Sequence, residues 1–199
     1  MALNACGDDG DENSAGNSNA NRAFLEAMIP HHESAIEMAN IAKRRAEHPE
    51  VRELAKRIVN TQREEIRQIE RIHQRLFDQK ILPNPDAHEG LGLSAQEAGM
   101  AHMEPTAALA DAKPFDRAFI DEMVPHHQGA IRMARVVLEE TEDDETRSLA
   151  EAIVRTQSDE IEQLNHWRRA WYGDVSPAGG APEDAVPNET DSMEEHEGH

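Results

Sequence analysis

The chain has 199 residues, 38% hydrophobic but only 4% aromatic, and a formal charge of -20. So few aromatics leave the core to Leu, Ile, Val, Ala and Met, which suits packed helices, and the length suffices for one domain or two small ones. The acidity argues against nucleic acid or anionic lipid as a partner, no apolar run reaches membrane-spanning length, and a single cysteine excludes an internal disulfide.

Residues 1–19 hold Gly, Asn, Asp and Ser without apolar periodicity and are expected to form a disordered tether. Within them, Leu3-Asn4-Ala5-Cys6 resembles the lipobox at which bacterial lipoproteins are cleaved and lipidated. A lipid anchor at Cys6 and an extracytoplasmic, cell-envelope location follow as expectations, against an ordinary cysteine in a polar tail. From about Ala20, Phe24, Met28, Ala35, Ala39 and Ala42 fall on one helical stripe that ends near Glu47-His48. Pro49 suits the first position of a second helix, which carries Val51, Ala55, Ile58, Ile66, Ile69 and Leu76 to about Lys80 before Pro83 and Pro85. Residues 82–113 read as a linker with a short helix around Ser94–His102. Pro114 opens a third helix to Glu140, Asp143-Asp144 caps a fourth to Tyr172, and Gly173 stops it. Residues 174–199 read as a disordered tail; with residues 1–21 they hold 12 of the 20 net negative charges.

The helical segments are two copies of one unit. Met28-Ile29-Pro30-His31-His32 returns as Met123-Val124-Pro125-His126-His127, at a constant offset of 95 residues. Arg22–Ile72 aligns on Arg117–Trp167 without a gap, with 23 identities in 51 positions. A repeat of this length governs the fold. One helical hairpin (about 20–81) cannot bury its apolar stripe alone, but two (the second about 114–173) can pack face to face. The expected class is all-α, a ferritin-like four-helix bundle with a long central connection.

The repeat also duplicates polar chemistry. On a wheel of about 100° per residue, His31 and His32 flank the small-residue seam of Ala35 and Ala39, and Gln62 and Glu65 interrupt the apolar face of the next helix. Buried imidazoles and carboxylates are costly unless paired or metal-bound. Pro30 and Pro125 lack an N–H, so the carbonyls of Glu26 and Asp121 lose their usual partner just before each His-His pair. Imidazole with thioether favours copper, Met selecting Cu(I) and His serving both oxidation states. The candidate ligands are Met28, His31, His32, Met38 and Glu65 in the first copy, and Met123, His126, His127, Met133 and Glu160 in the second. Met100, His102 and Met103 of the linker are an accessory set, and Met193, His196 and His199 lie in the tail. The plainer reading makes the methionines core filler and the Glu residues acceptors that set helix register.

The pattern Phe-x3-Met-x-Pro-His-His-x2-Ala-Ile-x-Met-Ala (Phe24–Ala39, Phe119–Ala134) is followed by Thr-Gln-x2-Glu-Ile (Thr61–Ile66, Thr156–Ile161). With Trp167–Gly173 it resembles the bacterial family called domain of unknown function 305, over about residues 20–173. The resemblance implies a ferritin-like bundle in a secreted or envelope protein, and in some members copper or silver binding linked to metal resistance. It carries the first motif onto Met28, His31, His32 and Met38, and the second onto Met123, His126, His127 and Met133. Where members often have Met three residues after Glu-Ile, this chain has Ile69 and Leu164, and its linker keeps only Met100-Ala-His-Met103. Both departures shift the expected site toward His, suited also to Cu(II) or zinc.

The leading expectation is therefore an extracytoplasmic protein that sequesters or hands over copper, with silver or zinc as other ions and a homo-oligomer left open. A structural or interaction bundle is the alternative. A ferritin-like di-metal oxidase ranks below both, because such enzymes use Glu on two helices and Glu-x-x-His on the others, and the equivalent positions here lack Glu-x-x-His. Ser-His-Asp order and phosphate-binding Gly loops are absent from the sequence.

Overall fold

The computed structural model describes residues 11–101 and 109–182. Four long helices dominate: α1 (Asp11–Arg45), α2 (Pro49–Phe77), α3 (Phe115–Glu140) and α4 (Asp144–Tyr172). No strand occurs among the described residues, and none of their helices is long and apolar enough to cross a membrane. Pro49 stands in the first turn of α2, as its fixed φ and missing N–H favour. Asp143 caps α4 by accepting from the Thr146 N–H at 2.8 Å. Gly173 closes α4 at φ 95°. His48 makes no side-chain cap for α2; the buried Asp116 of α3 does that work, accepting from the backbone N–H of Glu47 at 2.9 Å and of His48 at 2.8 Å. One carboxylate thus satisfies two orphan donors and ties the hairpins together.

α1 packs along α2, α3 packs along α4, and the two hairpins meet chiefly through α1 and α3. The core falls into two apolar clusters. One joins Phe24, Leu25 and Met28 of α1 to Ile69 and Ile72 of α2, Met133 and Val137 of α3, and Leu149 and Ile153 of α4. The other joins Met38 and Ala39 to Leu54 and Ile58, Phe119 and Met123, and Ile161 and Leu164. The beginning of α1 thus lies beside the end of α3. This antiparallel crossing sets Met28 in one cluster with Met133, and Met38 in the other with Met123.

The ends and the connector depart from the sequence expectation. α1 begins at Asp11, so residues 11–19 are helical and not part of a tether. α2 stops at Phe77 because Asp78 takes a left-handed conformation at φ 48°. The linker contains a 3-10 helix at Pro85–Leu91, capped by Asn84, that the apolar pattern did not reveal. The short helix expected at Ser94–His102 is one turn closed at Gly99: Met100 N–H reaches Ala95 O at 2.7 Å and Gly99 N–H reaches Gln96 O at 3.2 Å, a Schellman closure. The expected tail begins as a docked segment. Gln128 Nε2 donates to Ala178 O and Gly180 O, Asn165 Nδ2 donates to Gly179 O, and Ser176 is buried. Cys6, His102, Met103 and residues 183–199 lie outside the described residues.

Gly129 is where the connector crosses α3. A Cβ placed there would stand 2.3 Å from the carbonyl C and O of Ala98, both backbone atoms. Its counterpart in the first copy is Ser34, whose buried hydroxyl lacks a hydrogen-bond partner. Gly129→Ala should therefore lower unfolding free energy by about 1–3 kcal/mol. Ser34→Ala should be close to neutral. Urea unfolding of both variants checks this, and equal effects would mean that the connector does not rest on Gly129.

Candidate metal centre

Between the two apolar clusters lies one polar layer. His31, His32, His127, Gln62 and Gln157 are buried, as is His126 at 5% exposure. Each element supplies its part by spacing: adjacent histidines on α1 and α3, and Gln and Glu one turn apart on α2 and α4. The layer runs across the bundle as a row. Glu65 Oε2 meets His32 Nε2 at 2.8 Å, and the His32 and His31 rings are 6.2 Å apart between centroids. The His31 and His126 rings stand 3.8 Å apart at the α1–α3 crossing. His126 and His127 follow at 6.3 Å, and His127 Nε2 is hydrogen-bonded to Glu160 Oε2 at 2.8 Å.

The two ends of the row differ. The His127–Glu160 pair is aligned as a hydrogen bond, whereas the equally short His32–Glu65 approach is out of line with the ring N–H, leaving both atoms without a hydrogen bond. The centre differs too. His31 Nε2 reaches the backbone carbonyl of His126 at 3.1 Å, but neither ring nitrogen of His126 has a hydrogen-bond partner. The Nδ1 atoms of His31, His32 and His127, and both side-chain polar atoms of Gln62 and of Gln157, are also buried without one. An unmet buried polar atom costs about 1–3 kcal/mol, so a cluster of them in one layer asks for a partner outside the protein.

Burial is the main reason that the His31 pKa falls well below 6.5, with the neighbouring imidazoles of His126, His32 and His127 adding to it. His126 is lowered likewise, by burial first and then by His127 and His32. Both rings are therefore neutral near pH 7, the form in which imidazole ligates metals.

The candidate thioethers Met28, Met38, Met123 and Met133 are all buried, one pair on each side of the layer. The structure thus places four His and two Glu of the candidates in one layer, with the four Met in the apolar clusters on its two sides. Of the linker set, Met100 is buried in the same apolar cluster as Met28 and Met133, and its two partners fall outside the described residues. Among the described residues, no three His, Cys, Asp or Glu side chains already converge on one point at metal-binding distance. Gln62 and Gln157 belong to the layer, though neither was among the expected ligands. Gly99 was missed altogether: a Cβ there would lie 2.9 Å from His126 O and 3.2 Å from His31 Nε2. The signal available was its partner Gly129, a glycine where the first copy has Ser34.

A second duplicated pair braces the site. His73 of α2 faces Glu26 at 3.5 Å and donates from Nδ1 to Gln79 O at 3.1 Å; 95 residues on, the buried Arg168 binds Asp121 at 3.1 Å. The Glu26 carbonyl released by Pro30 accepts the Asn84 N–H at 3.1 Å.

Fold and site define a class: a duplicated four-helix bundle whose core is cut by a buried histidine layer. The chain belongs to the DUF305 family, the domain of unknown function whose profile matches residues 21–168 and again 116–198. No curated protein sequence matches it significantly. Among solved structures, CopM in its Cu(I)-bound form is 37% identical with a TM-score of 0.65, covering 77% of this chain and 98% of CopM. CopM has also been solved with Cu(II), with silver and without metal. A Streptomyces coelicolor DUF305 protein thought to be secreted has a TM-score of 0.69 at 25% identity, covering 80% of this chain and 97% of its own. A Deinococcus radiodurans DUF305 fragment is 31% identical with a TM-score of 0.62, covering 74% and 94%.

The lowered imidazole pKa values make stability depend on pH. Below 6.5 the unfolded chain takes up protons that His31 and His126 refuse when folded. Stability of the metal-free protein should be complete above pH 6.5 and fall as pH drops below it, by about 1.4 kcal/mol per pH unit for each histidine. In urea unfolding at about pH 7.5 and about pH 5.5, His31→Gln/His126→Gln should lose less stability than the parent. An identical loss would place the titrating groups elsewhere.

Proposed function

We propose that this protein binds copper through the duplicated Met-x-Pro-His-His motifs, sequestering the ion or passing it to a partner outside the cytoplasm. The observation that carries the reading is the row of four histidines with unmet ring nitrogens, placed between two buried methionine pairs. Thioether and neutral imidazole are donors suited to Cu(I), and imidazole serves Cu(II) as well. The copper- and silver-bound structures of CopM support the same choice. Silver follows as a thioether-seeking analogue of Cu(I), and zinc as an ion that the His and Glu donors also admit. An extracytoplasmic site of action is supported by the lipobox-like Leu3–Cys6 and by the S. coelicolor relative.

Each residue then has a task. Glu160 orients His127, since a hydrogen bond at one ring nitrogen determines which nitrogen is offered to a ligand, while Glu65 stands beside His32 as a carboxylate at 2.8 Å. Gln62 and Gln157 sit one turn away with free amide groups. His31 and His126 supply imidazoles at the centre. Gathering three donors on one ion requires the rings to rotate from their present positions, and unbranched Met side chains can follow them. The two repeats bring soft donors from both helices, so transfer proceeds by exchange of thioether and imidazole one at a time.

The structural reading has one observation in its favour: the aligned His127–Glu160 hydrogen bond, which would hold register without any metal. Titration of the metal-free protein with Cu(I) against a chromogenic chelator separates the two. The parent should bind tightly and stoichiometrically. Changing His31, His32, His126 and His127 to Ala should weaken binding by more than the about 10–100-fold expected for losing an outer-shell partner. Should the alanine variant not fold, His31→Asn/His126→Asn retains polarity and near-native volume and should show the same direction. Weak, non-stoichiometric binding by the parent would leave the histidines structural.

A further inference from the structure

The two motifs are duplicated in sequence, yet their surroundings are not. A cleft of about 520 Å³ reaches the layer beside the second motif, lined by Met38, Gly99, Asp121, Glu122, Pro125 and His126. The positions that correspond in the first copy are Met133, Glu26, Ala27, Pro30 and His31. There the connector lies on α1. Asn84 is bonded to the Glu26 carbonyl, a Cβ on Gly90 would meet Ala23 Cβ at 2.9 Å, and Ala87 and Leu91 share a cluster with Ala23 and Ala27. Ala27 is fully buried. Its counterpart Glu122 is partly exposed in the cleft and forms no ion pair among the described residues.

We infer that metal reaches and leaves the histidine layer through this one cleft, with Glu122 at its mouth and His126 and Met38 as the first donors met. The inference rests on the copper reading above and adds a direction to it. Three independent features agree. His126 has no hydrogen-bond partner on either ring nitrogen, although the side chain is more than nine-tenths buried. Its twin His31 is held by the His126 carbonyl and has Gly99 close against it. Asp121 in the cleft is already bound by Arg168, so Glu122 is the carboxylate left to attract a cation. A thioether and an imidazole behind a carboxylate form a graded path from hard, hydrated donors to soft, dry ones. The 3-10 connector excludes the same path on the other side, so the pseudo-twofold pair of motifs behaves as one site with a single opening.

The test is kinetic. Gln96 and Ala101 are exposed, line the cleft and are none of the proposed ligands. Gln96→Trp and Ala101→Trp narrow the mouth, and Glu122→Ala installs the residue of the first copy. Glu89→Trp adds the same bulk to the exposed face of the connector that covers the first motif. Stopped-flow transfer of Cu(I) from a chromogenic chelator complex, and its return to excess chelator, would be followed for each full-length variant. The cleft variants should slow uptake and release together by about tenfold. The equilibrium affinity of the two Trp variants of the cleft should stay at the parental value, and Glu89→Trp should match the parent. Parental rates in both Trp variants of the cleft, with tight binding intact, would overturn the single opening and leave the copper reading standing. Absence of stoichiometric Cu(I) binding by the parent would remove both.

Discussion

A polar layer across an apolar core is the constraint around which this molecule is arranged. Four imidazoles, two carboxamides and two carboxylates occupy one level of a bundle, between two clusters of aliphatic, methionine and phenylalanine side chains. Eight ordinary aliphatic side chains there would be more stable, because buried polar atoms without partners each cost about 1–3 kcal/mol. The layer instead lies between two clusters, Met28 and Met133 sharing one and Met38 and Met123 the other, with Val154 packed against both. The helices flanking the layer are consequently over-secured elsewhere. Asp116 caps the α1–α2 turn from across the bundle. Arg75 bridges to Asp143 at 2.7 Å, and His48 stacks on Trp171 with 3.6 Å between ring centroids.

Duplication provides the symmetry, and the unrepeated connector breaks it. A pseudo-twofold axis between α1 and α3 carries His31 onto His126, His32 onto His127 and Glu65 onto Glu160. Two copies of a hairpin give a site with twice the donors of one, without any new helix. The connector has no copy to match, and it must cross somewhere. It crosses at Gly129, where the absence of a side chain lets backbone meet backbone, and it covers the first motif while forming one rim of the cleft at the second. The same segment satisfies the Glu26 carbonyl that Pro30 sets free. The satisfied Glu26 carbonyl, the covered first motif and the cleft beside His126 thus all trace to one piece of chain.

What the sequence discloses, and what it hides, follows from range. The helices and the inward placement of His31, His32, Gln62 and Glu65 are written in local periodicity, and the repeat writes them twice. The family pattern adds the long-range statement that the two hairpins form one bundle. Hidden were features that depend on residues far apart with no periodic trace. These include the backbone carbonyl of His126 as partner to His31, Asp116 as a cap for another helix, and the cross-pairing of Met28 with Met133. The early start of α1 at Asp11 was hidden for another reason: Gly, Asn and Ser are weak helix formers, so continuation from a packed helix outweighs local preference. The linker's 3-10 turn escaped because seven residues with Pro and Gly show no apolar period. Met100 was a candidate by composition alone, and that it packs in one cluster with Met28 and Met133 left no periodic trace.

The most direct test of the histidine layer as a metal centre is a long-range proton–nitrogen NMR spectrum of the imidazole rings, recorded as Ag(I) is added. Silver is redox-inert and ligates the same nitrogens and sulfurs as Cu(I). Large ring-nitrogen shifts confined to His31, His32, His126 and His127 are the expected result. Shifts only at the tail histidines His196 and His199, with the buried rings unmoved, would contradict it.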